Sequence, residues 1–174
     1  ELIRVERISP QGGSIRVIVQ KKGGIHDRDE SVSNLITLEE SVGLDKPETL
    51  INFQKQIDIV RDEFQYLIKK IKKDGKSIAA FGAPTKATTL SYHFKIETNK
   101  IDFIVDDNPL KQGLFSPGKH FPVYDASKIY SDKPDYLLIL AWNFADSIME
   151  KHKNFLKSGG SFILPMPKPV IIRQ

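Results

Sequence analysis

The sequence predicts an α/β protein with a Rossmann-like, mostly parallel sheet and flanking helices, preceded by a long helix and an N-terminal β-hairpin. From residue 76 onward, short apolar runs alternate with helical patterns, and such alternation requires crossover connections between parallel strands. Residues 50–71 carry one apolar stripe at helical spacing. The first twenty residues hold two strand patterns around a Pro/Gly turn. Together these three observations define the fold class.

The N-terminal segment, residues 1–36, is predicted to be a hairpin followed by a linker. Strands are expected at residues 2–8 and 14–20, because Pro and Gly mark a turn between them and the second strand alternates apolar and polar residues. A two-stranded hairpin alone is marginal in water, so this pair should complete a sheet formed with other strands. Residues 21–36 contain a glycine pair and a mixed-charge run, which predicts an exposed linker.

Residues 37–75 are predicted to be a helical connector. The capping box at residues 37–40 predicts a short helix that Gly43 ends. Pro47 suits the first position of a long helix, and Gly75 suits the left-handed conformation that follows its last turn. A core helix is expected, with coiled-coil dimerisation as the alternative. The apolar stripe consists of Leu50, Phe53, Ile57, Val60, Phe64, Leu67 and Ile71.

Residues 76–174 form the predicted Rossmann-like domain. The expected strands cover residues 77–81, 101–105, 122–124, 136–141 and 161–164. The expected helices cover residues 85–93, 126–130 and 144–157, and the last of them is ended by a glycine pair.

Composition narrows the function classes. The net charge of +4 lies entirely in residues 76–174, which suits an anionic small ligand. The lysine run at residues 69–76 lacks interleaved aromatics and reads as a solvated helix end, so no nucleic-acid partner is expected. The absence of cysteine excludes disulfides and zinc–thiolate sites and fits a cytoplasmic location. No apolar run is long enough to predict membrane insertion, and the start at Glu1 suggests a piece of a longer parent.

Candidate binding residues follow the first predicted strand of this domain: Gly82, Ala83, Lys86 and Thr88. They open a helix whose amino terminus can present amides and a positive dipole to an anion at the carboxyl edge of the sheet. The segment matches neither GxGxxG nor the P-loop pattern, and a tight structural turn explains it equally well.

The second strand ends in Asp106 and Asp107, about the interval after Gly82 at which a Rossmann carboxylate meets a ribose hydroxyl. Either aspartate could take that role, or both could belong to a local turn. Asn108 and Lys111 then open a polar, basic loop of residues 108–121, of a kind suited to binding.

Trp142 and Asn143 follow the fourth predicted strand. The indole could stack on a base, and Asn143 could cap a helix that begins at Phe144, although core packing and capping also explain both residues. No catalytic residue is predicted, because the four histidines show no ligand spacing and no nucleophile motif occurs.

Six motifs together resemble the C-terminal domain of bacterial S-adenosylmethionine-dependent sugar C-methyltransferases. Two positions depart from the pattern: Thr85 replaces a usual small residue, and Ala87 stands where glycine is common. The motifs cover nearly the whole chain from residue 12 onward: Gly12–Arg16, Gly82-Ala83-x-x-Lys86, Asp107–Gly113, Pro117-Gly118-x-His120-x-Pro122, Pro134–Tyr136 and Leu140–Phe144.

The resemblance implies a parent that methylates a carbon of a keto-deoxy sugar carried on a nucleotide diphosphate. It implies S-adenosylmethionine and zinc in the parent and no cofactor in this chain. The implied partners are a nucleotide-diphosphate sugar and the N-terminal and central domains of the parent, with residues 1–20 as the last strands of the central domain. The alternatives left open are a ligand-free docking module and an NAD-type dinucleotide-binding domain, which would need the missing glycines.

Overall fold

The protein is described by a computed structural model that covers residues 1–174. The chain divides into two compact units, residues 1–56 and residues 57–174, and the boundary falls inside one long helix. None of its helices combines the length and apolar character needed to cross a bilayer.

The first unit contains the predicted hairpin. Strands β1 (Leu2–Ile8) and β2 (Ser14–Val19) pair antiparallel across a short 3₁₀ turn, as predicted. Helix α1 (Glu30–Ser41) lies against β1, where the Ser31 hydroxyl accepts a hydrogen bond of 3.0 Å from the Val5 amide.

The predicted start of α1 is wrong. The helix begins at Glu30 rather than near Thr37, because the Asp29 side chain accepts the Ser31 amide at 2.8 Å and so caps the first turn. The expected linker is therefore shorter, and the predicted capping box lies inside the helix.

Helix α2 (Pro47–Lys73) has its predicted bounds, and Gly75 follows it at φ +71°. Its apolar stripe is only partly a core stripe. Phe64 and Ile71 are buried, whereas Leu50 and Phe53 are more than half exposed. The prediction of a core helix is confirmed for the C-terminal half alone.

The second unit contains a six-stranded sheet in the order β5-β4-β3-β6-β7-β8. All neighbours are parallel except β7 and β8, which confirms the predicted mostly parallel sheet. The edge strand β8 was not predicted, because only three residues after a proline-rich segment form it. The strands are β3 (Ile78–Phe81), β4 (Ile104–Val105), β5 (Val123–Tyr124), β6 (Tyr136–Ile139), β7 (Ser161–Leu164) and β8 (Val170–Ile172).

The chain leaves β3 toward β4 and β5 on one side and returns to β6 on the other, so the topological switch point lies between β3 and β6. Alternate strand residues belong to two separate buried clusters, for example Ala80 to one and Phe81 to the other. This division follows from the two-residue period of a strand, and it explains why helices cover both faces of the sheet.

Four helices connect the strands of this unit, and α3 matches its prediction at both ends. The single helix predicted at residues 144–157 is wrong, because a 3₁₀ turn at Trp142–Phe144 precedes two short helices that meet at His152. Tertiary packing explains the break: the buried His152 ring lies 5.0 Å from the Phe81 ring and 3.0 Å from the Tyr130 hydroxyl. The helices are α3 (Thr85–His93), α4 (Lys128–Asp132), α5 (Ala145–Lys151) and α6 (Lys153–Lys157).

Candidate functional site

The candidate site lies at the switch point, where β3 and β6 end side by side. Gly82 follows β3 at φ +92°, and its amide donates to the Val105 carbonyl at 2.7 Å. A Cβ at this position would lie 2.8 Å from Cβ of Ala141, which is closer than real side chains come. Gly82 is therefore required by the packing of two strand ends, and this packing sets the amino end of α3 beside the end of β6.

Asp106, at the end of β4, is the hydrogen-bond centre of the site. Its Oδ2 accepts the Ala83 amide at 2.7 Å and Lys111 Nζ at 3.1 Å, and its Oδ1 accepts the Asn108 amide at 2.9 Å. Burial acts to raise the pKa of this carboxyl, but the two amides and the Lys111 ammonium outweigh burial and hold the pKa below its ordinary value. Asp106 is thus ionised and fixes the turn after β3 to the loop after β4.

The loop of residues 108–121 is built outward from this carboxylate. Asn108 Oδ1 accepts the Leu110 amide at 3.0 Å, which makes an Asx turn. Gln112 Nε2 donates to the Asp106 carbonyl at 2.9 Å. Lys111 therefore reaches Asp106 from a loop whose start is held by side-chain bonds.

Lys86 and Trp142 meet at the same edge of the sheet. Lys86 lies in the first turn of α3, and its ammonium sits 4.9 Å from the centre of the Trp142 ring. This is cation–π distance. The indole is half-buried and belongs to the margin of one core cluster, so it has both a packed part and an accessible part.

The remaining predicted residues lie further from this group. Asp107 is exposed and pairs with Lys151 at 2.7 Å, so it does not share the position of Asp106. Thr88 lines a cavity of about 20 Å³ between α3 and the 108–121 loop, which has room for one water at most. The predicted cap by Asn143 is wrong, because α5 begins at Ala145 without a side-chain cap.

One contact between α3 and the 108–121 loop has no signal in the sequence. Tyr92, on α3, covers Gly118, where a Cβ would lie 2.7 Å from the ring. Lys119 Nζ lies 4.9 Å from the centre of that ring and 2.8 Å from Glu97 Oε1. The Pro-Gly pair predicts a turn, but nothing local indicates that Tyr92 is its partner. These contacts hold the far end of the loop against α3.

The chemistry available at this edge is that of binding. Lys111 pairs with the ionised Asp106, and Lys86 adds a second positive charge in the first turn of the nine-residue helix α3, so positive charge exceeds negative charge among these groups. Asp106 already accepts from three donors, and its lowered pKa leaves it without a proton to give to a ligand. The arrangement suits an anionic ligand with an aromatic or sugar part, and no acid–base couple is present in it.

Comparison with known families decides the relationship. The model of the family described as "C-methyltransferase C-terminal domain" matches residues 9–167. The chain belongs to this family. The resemblance noted in the sequence motifs is thereby confirmed.

A curated relative supports the same assignment. The C-methyltransferase NovU of Streptomyces niveus is 33% identical over 171 residues, which are 98% of this chain and 41% of that protein. The chain thus spans about two fifths of the length of the relative it matches.

Proposed function

We propose that the chain is the C-terminal part of an S-adenosylmethionine-dependent C-methyltransferase acting on a nucleotide-linked deoxy sugar. In this proposal it binds the nucleotide diphosphate and packs against the catalytic domains, and it is not catalytic alone. The observation that carries the proposal is that the turn after β3 is linked to two lysines: Lys86 lies in the first turn of α3 directly after it, and Lys111 bonds to Asp106, which also accepts the Ala83 amide of that turn.

Lys86 and Lys111 are the expected phosphate ligands. The Ala83 amide already donates to Asp106, so it does not point free toward a ligand. Lys111 is about one third exposed and is held by a single carboxylate oxygen, so it can turn toward a phosphate while Asp106 keeps its two amide donors. Lys86 adds its charge to the helix dipole.

Trp142 and Asn108 are expected to shape the pocket beside the phosphates. The accessible part of the indole offers a flat surface for a base or a sugar ring. Asp106 acts in this proposal by holding the turn and the loop, since its oxygens are already in use.

The cofactors of the reaction belong to other parts of the enzyme. The chain has no cysteine and no group of three His, Asp or Glu side chains that could hold a metal ion, so its residues do not fit the zinc implied by the resemblance. S-adenosylmethionine supplies the methyl group in this class of reaction, and no residue of this chain is assigned to it. A cytoplasmic location fits the absence of cysteine.

A ligand-free docking module is the second candidate, and the hairpin supplies a surface suited to docking. Ile15, Val17 and Val19 alternate along β2 and are 47–66% exposed. The sheet of the first unit has only two strands, so β2 also keeps an unpaired edge. An apolar stripe beside a free edge is suited to pairing with further strands, as expected if the hairpin completes the sheet of a catalytic domain.

Isothermal titration of the full-length enzyme with dTDP separates the two candidates. Losing a charge-assisted bond to phosphate should weaken dTDP binding about tenfold or more in Lys86→Ala and in Lys111→Ala. Lys157→Ala removes the same charge from α6, next to the opposite edge of the sheet, and should leave affinity unchanged. Unchanged affinity in both site variants, with a change only in melting temperature, would favour the docking module.

A further inference from the structure

The loop of residues 108–121 holds three large apolar side chains in solvent. Leu110 is 83% exposed, Leu114 57% and Phe115 67%. We call these three residues the apolar loop surface. Apolar groups next to these three are buried, since Phe121 at the end of the loop and Val123 just after it are each 2% exposed.

The backbone that carries this surface is well ordered by hydrogen bonds. Gly113 and Leu114 exchange backbone bonds of 2.8 and 2.9 Å with Val123, and the Ser116 amide donates to the Phe121 carbonyl at 2.8 Å. Phe115 also forms an isolated bridge with Pro122. The side chains are therefore exposed by a fixed backbone, and a loop ordered in this way loses little conformational freedom on binding.

The same loop carries part of the candidate site. Lys111 and Gln112, which contact Asp106, lie between Leu110 and Leu114 in the sequence. Whatever covers the apolar loop surface consequently lies next to the candidate phosphate ligand Lys111. Closing a site in this way excludes water and strengthens the interactions of its charges.

We propose that the apolar loop surface is the docking surface for the catalytic part of the same methyltransferase, and that this contact closes the nucleotide site at Lys111. The family is that of a C-terminal domain, and the matched region is 41% of the relative, so a larger body is available to cover the surface. The proposal rests on the proposed function, because its occupant is the rest of a methyltransferase. Large apolar side chains that an ordered loop holds in solvent are suited to burial in the apolar core of an interface.

Photo-cross-linking in the full-length enzyme tests the contact. The probe is p-benzoylphenylalanine in place of Phe115, and the control is the same probe in place of Tyr66, an aromatic residue of α2 that is 73% exposed. After irradiation of a mixture of ¹⁴N- and ¹⁵N-labelled enzyme, cross-linked peptides are identified by mass spectrometry. We expect the Phe115 probe to link to the catalytic part within one chain, at least tenfold more than the Tyr66 probe.

Three outcomes would overturn the proposal: a yield no higher than the control, links confined to residues 1–174, or pairs of mixed isotope that identify a second copy. A Leu110→Ser/Phe115→Ser variant gives a second readout. In the full-length enzyme it should keep the far-UV circular dichroism of wild type, because neither side chain is buried in the fold, and should raise the KM for the nucleotide sugar about tenfold with little change in kcat. An unchanged KM also counts against the contact.

The outcome is separable from that of the proposed function. Cross-linking needs no ligand, whereas dTDP titration of Lys111→Ala needs no contact at Phe115. A Phe115 link together with unchanged dTDP affinity would leave the docking surface standing and reject the nucleotide site.

Discussion

Replacing Asp106 by Asn should destabilise the second unit by about 2–4 kcal/mol. The carboxylate accepts three hydrogen bonds, and bonds to a charged group contribute about 1.5–3 kcal/mol each. The Asn side chain has one oxygen and one NH₂ group. If the NH₂ group takes the place of Oδ1, the Asn108 N–H faces a donor. If it takes the place of Oδ2, the Ala83 N–H and the Lys111 ammonium both face a donor. The first orientation costs less: it loses the bond from Asn108, and the two remaining bonds weaken because their acceptor is no longer charged.

The assay is urea unfolding followed by the fluorescence of Trp142, which is the only tryptophan of the chain and lies at this edge of the sheet. For a unit of this size, each kcal/mol corresponds to about 4 °C in melting temperature, so Asp106→Asn should melt about 8–16 °C lower. Asp107→Asn is the matched control. Its ion pair with Lys151 is about half exposed, and its loss should cost about 0–1 kcal/mol.

Acid titration gives an independent check with a defined sign. The pKa of Asp106 is lowered in the folded protein by its donors against the opposing effect of burial. The stability that the ionised Asp106 contributes is therefore complete above the ordinary pKa of 3.8 and is lost as pH falls below that value. Wild type and Asp106→Asn should then converge in free energy of unfolding as the solution becomes more acidic. Equal stability of the two aspartate variants at neutral pH would refute the central role of Asp106.

Two further predictions concern the same unit. Gly82→Ala should lower the free energy of unfolding by about 3 kcal/mol or more, because it adds a clash with Ala141 to the strain of a positive φ. Gly113→Ala, at φ +78° with open space around it, should lower it by about 1 kcal/mol. Equal melting temperatures of the two variants would contradict this. Burial lowers the pKa of His152, an effect that Lys151 reinforces and Asp107 opposes. The free energy of unfolding should therefore be at its highest above about pH 6.5 and should decrease below that pH, where the unfolded state binds a proton more readily. His152→Phe should flatten that fall in urea titrations between pH 6.5 and 5, and a slope equal to wild type would show that another group titrates.

Local signals were sufficient where one element determines its own ends. The helix at Thr85–His93 and the strand at Ser161–Leu164 have the predicted bounds, because turn residues flank a short periodic run in each case. The end of α2 was predictable from Gly75, which takes a left-handed conformation. The parallel sheet followed from the order of these elements.

Tertiary contacts explain the errors. Asp29 stands in a mixed-charge run that reads as a linker, yet it caps α1. The break at His152 depends on Phe81 and Tyr130, which are distant in sequence. Nothing local to Asn143 shows that a 3₁₀ turn comes before the helix it was expected to cap.

The sequence predicts the sheet edge at which the candidate residues lie, but it does not predict the hydrogen bonds between them. Asp106 and Lys86 were selected because they follow strands that end at one edge of the sheet. Asp106 accepts the Ala83 amide, a donor that was expected to be open to a ligand. This contact depends on the register of β3 and β4, which the sequence does not show. The sequence shows which polar groups reach the edge, whereas their partners follow from distances of a few ångströms.

Hydrogen–deuterium exchange of the full-length enzyme with and without dTDP tests most directly whether the nucleotide binds at this edge. We expect slower exchange on dTDP binding in peptides covering residues 82–88 and 106–113, and unchanged exchange in peptides from the opposite edge, such as residues 153–160. Slower exchange confined to the rest of the enzyme, with both segments unchanged, would contradict this expectation.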